Sequence, residues 1–135
     1  MKKTYIALLG LLMGMADIAG AQTVKSPDGN ISVTFSLKGN GVPTYEMTYK
    51  GKAVVKPSHL GLELAKDKHA SKGMKETSLM DGFEKTGTRT TTFDETWKPV
   101  WGETATIRNH YNELEVDLSQ PSSRRNIIIR FRVYD

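Results

Sequence analysis

The stretch ISVTFSLK, residues 31–38, decides how this chain is read. Ile31, Val33, Phe35 and Leu37 alternate strictly with Ser32, Thr34, Ser36 and Lys38. A period of two puts the apolar side chains on one face of an extended strand and the polar ones on the other. The stretch is fenced by two breaks. SPDGN (26–30) and GNGVP (39–43) supply the proline and glycine that turns require.

The same pattern recurs outward from there. TYEMTY (44–49), then KGK, then AVV, reads as a hairpin closing at Lys50-Gly51, with Tyr45, Met47 and Tyr49 on one face. HLGLELA (59–65) reads as a short strand with Leu60, Leu62 and Leu64 on one side. Residues 66–77 are polar and read as a loop. TGTRTTTFDETW (86–97) is rich in threonine and suits an exposed strand. LEVDLS (114–119) alternates Leu114, Val116 and Leu118 with Glu115 and Asp117. NIIIRFRVY (126–134) sets Ile127, Ile129, Phe131 and Val133 on one face, with Ile128, Arg130, Arg132 and Tyr134 on the other. The expected fold is all-β, a sandwich of antiparallel strands, with no helix outside the first residues. Nothing follows the last strand to pair it or to cover its apolar face. The sandwich is therefore expected to be incomplete at the C-terminus, and the chain to be part of a longer protein.

The N-terminus carries a different signal. MKKTYIALLGLLMGMADIAGAQ opens with Lys2 and Lys3, continues in an apolar run, and ends with Ala19 and Ala21 at signal-peptidase spacing. The run is too short for a stable transmembrane helix. Residues 1–21 are expected to be a signal peptide and residues 22–135 the exported part, with no membrane contact after cleavage. A Gram-negative periplasm fits best. The chain has no cysteine, which rules out disulfides and a lipidated cysteine anchor. Its formal net charge is +4, and loss of the leader's two lysines and one aspartate leaves +3. No block of like charge marks a nucleic-acid partner.

Chemistry concentrates in ETWKPVWGETATIRNHYNEL (95–114). His110 and Glu113 would meet on a helix, but on a strand they face opposite ways, so no metal site is assigned. Glu113, Glu115 and Asp117 share a strand face with neighbours about 7 Å apart, within the loose range of an inverting glycosidase pair. A solvated strand face has the same pattern, and that is the reading adopted. No nucleophile motif and no phosphate-cradling glycine loop is present. Trp97 and Trp101 are the two weak candidates for substrate contact. Each would bury about 150–250 Å² if packed. Pro99 between them keeps WKPVW out of a central ladder position, so the rings are expected to fold onto a core or against another domain.

FDETWKPVWGETATIRNHYNELEVDLSQP (93–121) and RNIIIRFRVYD (125–135) closely resemble the N-terminal domain of glycoside hydrolase family 97. SPDGNISVTFSL (26–37) and PTYEMTYKGKAVVKPSHLGLEL (43–64) look like the start of that domain. The resemblance implies an exported α-glucosidase or α-galactosidase of a glycan-degrading bacterium. It implies a β-super-sandwich followed by a (β/α)₈ barrel and a C-terminal β domain, with calcium assisting hydrolysis of α-linked oligosaccharides. The family's catalytic and calcium-binding carboxylates fall beyond Asp135, so Glu103, Glu113 and Glu115 take no catalytic role by resemblance. Residues 22–135 would support and dock onto the barrel, be inactive alone and bind no calcium. A stand-alone carbohydrate-binding sandwich using Trp97 and Trp101, or a structural exported domain, are the alternatives.

When the chain is expressed with its leader in a Gram-negative host, N-terminal sequencing of periplasmic material is expected to begin at Gln22. Periplasmic protein that still begins at Met1 would contradict the leader assignment.

Overall fold

The computed structural model describes residues 20–66, 68–69 and 77–135. Almost all of the leader and most of the polar 66–77 stretch lie outside the described residues. The described chain is all strand and turn. β1 (Gln22–Lys25), β2 (Ile31–Lys38), β3 (Val42–Tyr49) and β4 (Lys52–His59) form one antiparallel sheet in sequence order. β5 (Leu62–Glu63) and β6 (Ser78–Leu79) form a small two-stranded sheet. β7 (Glu84–Trp97), β8 (Ile107–Gln120) and β9 (Arg125–Tyr134) form the second large sheet, again in sequence order.

The turns explain the pairing. Asp28 accepts a hydrogen bond from the Asn30 amide at 3.0 Å, and Gly29 adopts φ 75°, which folds β1 back on β2. Lys50 and Gly51 both have positive φ, 46° and 79°. Their mirror-image turn matches strand twist and closes the β3–β4 hairpin where the sequence places it. Gly41 is required for a different reason. A Cβ there would lie 2.3 Å from the Phe83 carbonyl oxygen, because residues 40–41 hydrogen-bond to residues 82–83.

The two large sheets meet through their alternating faces. Val24, Val33 and Phe35 of the first face Leu114, Val116, Leu118 and Val133 of the second, and all are buried. The Phe131 ring sits 6.0 Å from Phe35 and 6.1 Å from Tyr45. Leu79 and Phe83 complete the same core. Next to them the buried Gln120 donates to the carbonyls of Ser78 at 3.0 Å and Asp81 at 2.8 Å. Those bonds satisfy a side-chain amide that would otherwise be costly inside.

Two expectations change in detail. Ile127, Ile129 and Phe131 are not left uncovered; the first sheet packs on them and on Val133, and the unpaired feature of β9 is its end position in the sheet. HLGLELA is not one strand. β4 runs on to His59, and the chain then bends at Gly61, where a Cβ would lie 2.8 Å from the Leu79 carbonyl. Only Leu62 and Glu63 pair again, and Leu62 is exposed. A backbone approach that close overrides the alternation.

The sandwich is offset. β1 and β2 lie over β8 and β9, whereas β7 is exposed from Thr88 to Trp97. Leu114→Ala, at a side chain that is 1% exposed, is expected to cost about 2–5 kcal/mol in urea unfolding. Val54→Ala, on exposed β4, is expected to stay within about 0.5 kcal/mol.

Candidate functional site

β8 is longer than its apolar alternation shows, because it starts at Ile107 and includes RNHYNE. β9 pairs with it only from Tyr111 onward, while β7 pairs along its whole length to Trp97 and Ile107. The ends of β7 and β8 therefore project as a two-stranded ribbon, roughly 13 Å beyond the third strand at about 3.3 Å per residue. The loop 98–106 forms its tip. Trp101 is 89% exposed, Val100 98% and Trp97 45%. The tryptophans are thus not folded onto the core of the described residues. Pro99 lies outside the ladder, as its missing N–H requires. Glu103 sits in the same exposed loop.

The odd-numbered side chains of β8 form the outer face of the three-stranded sheet. Tyr111 stacks on Phe93 with centroids 5.2 Å apart and meets Tyr134 at 5.0 Å. Arg132 lies over the Tyr111 ring at 5.1 Å and donates to Glu113 at 2.7 Å. Glu115 accepts from Arg89 of β7 and from Arg130 of β9, and is only 5% exposed. The hydrogen bond from Arg130 holds the Glu115 carboxyl below the usual range, and the charges of Arg130 and Arg89 add to it against partial desolvation.

This corrects the reading of a solvated carboxylate face. Glu113, Glu115 and Asp117 do share the face, yet Glu115 is roofed by arginines. It is also unsuited to acid catalysis. A proton donor to a glycosidic oxygen needs a raised pKa, and Glu115 is shifted the other way. The arginine partners were visible in the sequence as Arg130 and Arg132 spaced like Glu113 and Glu115. Only the register, Glu113 opposite Arg132 and Glu115 opposite Arg130 and Arg89, turns that spacing into pairs.

The opposite face of the ribbon is polar. Arg108 grips Asp94 with two bonds, 2.9 and 2.8 Å, and that bond lowers the Asp94 pKa and raises that of Arg108. His110 Nδ1 lies 2.6 Å from Asp135, which also accepts from the Asp28 amide at 3.0 Å. Asn112 donates to the Lys25 carbonyl at 2.8 Å. These bonds fasten the base of the ribbon to the β1–β2 turn. His110 and Glu113 point to opposite faces, as the strand period requires.

A calcium ion takes six to eight oxygen ligands, several of them carboxylate. Among the described residues no three His, Asp or Glu side chains come together as a metal site. Glu113 and Glu115, side by side on the outer face, are already bound by arginine. The described residues therefore do not fit calcium, and no step is derived through it.

Fold and surface together define an antiparallel β-sandwich domain with an exposed aromatic ribbon and no catalytic constellation among its described residues. The sequence model of the family described as Glycosyl-hydrolase 97 N-terminal matches residues 24–135, and the chain belongs to that family. A glycoside hydrolase family 97 enzyme from Pseudoalteromonas sp. strain K8 superposes with a TM-score of 0.70 at 28% identity, in structures with panose and with acarbose. The match covers 84% of this chain and 16% of that enzyme. A β-arabinopyranosidase shares the fold, with a TM-score of 0.69 at 20% identity over 84% of this chain and 16% of its own.

The ion pairs of Glu115 and Asp94, and the hydrogen bonds that Asp28 accepts from Ser26 and Asn30, set a pH dependence. The folded pKa values of Glu115, Asp94 and Asp28 lie below their ordinary values. Their contribution is fully present above about pH 4.5 and fades as pH falls through the lower folded values. Melting temperature is expected to fall as pH drops below about 4, and Glu115→Gln is expected to flatten that drop while lowering stability at neutral pH. An acid limb unchanged in Glu115→Gln would contradict the assignment.

Proposed function

We propose that this chain is the N-terminal sandwich of a periplasmic glycoside hydrolase acting on α-linked glucosides or galactosides. In this reading it docks, through the β7–β8 ribbon, onto a (β/α)₈ barrel carried by the same protein. The observation that carries the docking role is the ribbon tip. Val100 and Trp101 stand almost wholly in solvent on an arm that extends past its own sheet. Contiguous exposed apolar groups of this kind mark an interaction surface. The family match supports the enzyme class, and the panose and acarbose complexes of the Pseudoalteromonas enzyme support α-linked glucosaccharides as substrates. The chain spans 16% of that enzyme's length, which leaves ample protein to receive the arm.

The chemistry follows from this division. Glycoside hydrolysis needs two carboxyl functions across the scissile bond, one of them a proton donor. In this proposal those groups, and the calcium that assists them, belong to the barrel. The sandwich contributes rigidity, because Glu115 is tied to arginines on both neighbouring strands, and a rigid frame holds catalytic groups in register. The leader, residues 1–21, delivers the protein to the periplasm. Residues 22–135 alone are expected to be inactive on nitrophenyl α-glucosides and α-galactosides with calcium present.

A second reading is kept because the same exposure favours it: Trp97 and Trp101 could stack on sugar rings in a carbohydrate-binding module. One experiment separates the two. In the whole enzyme, Trp101→Ala is expected to lower stability by roughly 3–5 kcal/mol, the cost of truncating a buried tryptophan. It should also reduce kcat/KM on a small nitrophenyl substrate. A variant whose stability stays within about 0.5 kcal/mol and whose small-substrate activity is intact, but which no longer binds soluble α-glucan, would replace the docking reading with the binding-module one.

A further inference from the structure

Three aspartate or asparagine residues stand directly before a glycine: Asp28-Gly29, Asn40-Gly41 and Asp81-Gly82. Such a pair is able to react with itself. The glycine amide nitrogen attacks the side-chain carbonyl carbon and closes a succinimide ring, and glycine has no side chain to block the approach. The glycines have positive φ, 75°, 66° and 70° in turn. Their hydrogen bonds separate them.

Gly29 donates its amide to the Ser26 carbonyl at 2.8 Å, and the Asp28 carboxylate accepts from Ser26 Oγ and from the Asn30 amide. Gly82 donates its amide to the Asn40 carbonyl at 2.7 Å. An ionised carboxylate is also a poor electrophile, so both aspartate pairs are held back. Asn40 differs on each count. Its side chain is a neutral amide and is exposed. Among the described residues the Gly41 amide donates no hydrogen bond. The bond from Gly82 falls on the Asn40 carbonyl oxygen, the atom where negative charge gathers when the Gly41 N–H gives up its proton. A fixed donor aimed at developing charge favours the reactive anion. Asn30, Asn109, Asn112 and Asn126 precede isoleucine, histidine, glutamate and isoleucine, whose side chains crowd the attacking nitrogen.

We propose that Asn40 is a site of spontaneous deamidation, with water as the co-reactant. The Gly41 nitrogen loses its proton and bonds to Cγ of Asn40. The Cγ–Nδ2 bond breaks, and Nδ2 takes up a proton and leaves as ammonia. Water then opens the ring. Cleavage of the new N–Cγ bond leaves an aspartate at position 40. Cleavage of the original peptide bond leaves an isoaspartate, whose main chain runs through Cβ and Cγ and is longer by one carbon. The longer form has no room. A carbon added at Gly41 would meet the Phe83 carbonyl oxygen at 2.3 Å and its nitrogen at 2.5 Å. The bonds from Gly82 to Asn40 and from Phe83 to Gly41 are lost with the shift, and the core side chain of Phe83 loses its anchor. Deamidation therefore marks the age of the domain and loosens one end of its sandwich. The site is independent of the ribbon and of the docking reading.

The test is ageing of the whole protein at mildly alkaline pH in heavy-oxygen water, folded and in urea, followed by peptide mass spectrometry. In the folded protein the Asn40 peptide is expected to exchange its amide nitrogen for heavy oxygen, as a mixture of aspartate and isoaspartate. Its rate is expected to lie within about tenfold of the unfolded chain, the weight of a hydrogen bond. Asp28 and Asp81 are expected to stay as they are. Aged wild type is expected to melt at a lower temperature than fresh protein, and Asn40→Gln to keep its melting temperature on ageing. Asn40→Asp, which adds the charge without the extra carbon, is expected to melt like fresh wild type. An Asn40 that stays intact in the folded protein while it reacts in urea would overturn the proposal, as would isoaspartate arising equally fast at Asp28 or Asp81. A melting temperature that falls equally in aged Asn40→Gln would overturn the loosening.

Discussion

The two faces of β8 hold the structure together. Leu114, Val116 and Leu118 are buried against the first sheet, and between them Glu115 is buried on the other side under Arg89 and Arg130. A central strand with an apolar face and an ionic face can move in neither direction without loss. A shift of one residue would send the leucines to the arginines and the glutamate into the core. The cross-strand pairs therefore fix register as much as they add stability, and the β7–β8 ribbon inherits its position from that register. Partnered charges of this kind are better evidence for specificity than for net energy.

Most of the fold was legible because most of it obeys a period of two. Residues 31–38 and 126–134 state their buried faces outright, and Lys50-Gly51 states its turn. The alternation failed where a long-range contact ruled. Gly61 gives way to the close approach of residues 79–80, which splits HLGLELA. RNHYNE belongs to β8 although its own residues are polar, because Asp94, Thr92 and Phe93 across the ladder supply partners for Arg108, Asn112 and Tyr111. Such pairs depend on which strand lies opposite, and that information is absent from either segment alone.

The surface was less legible than the core. Trp97 and Trp101 are large apolar residues, and an area argument sends them inside, yet the structure leaves them on the projecting ribbon. Area says how much burial is worth and nothing about what does the burying. The Glu113 and Glu115 face looked solvated for a related reason: a single strand shows its own charges but not the arginines of its neighbours.

Both large sheets are meanders: each strand pairs with its neighbour in sequence, and every such pair is antiparallel. Hairpins of this kind close short loops and form in microseconds. The contacts that span most of the chain are those between sheets, such as β1 with β8 and β2 with β9. The wiring thus splits folding into two locally encoded halves and one docking step, and that step is where the loop-closure entropy falls. For a chain with no disulfide to hold partial structure, assembly speed rests on how fast two preformed halves find each other, and a slow search would leave the apolar inner faces open to aggregation.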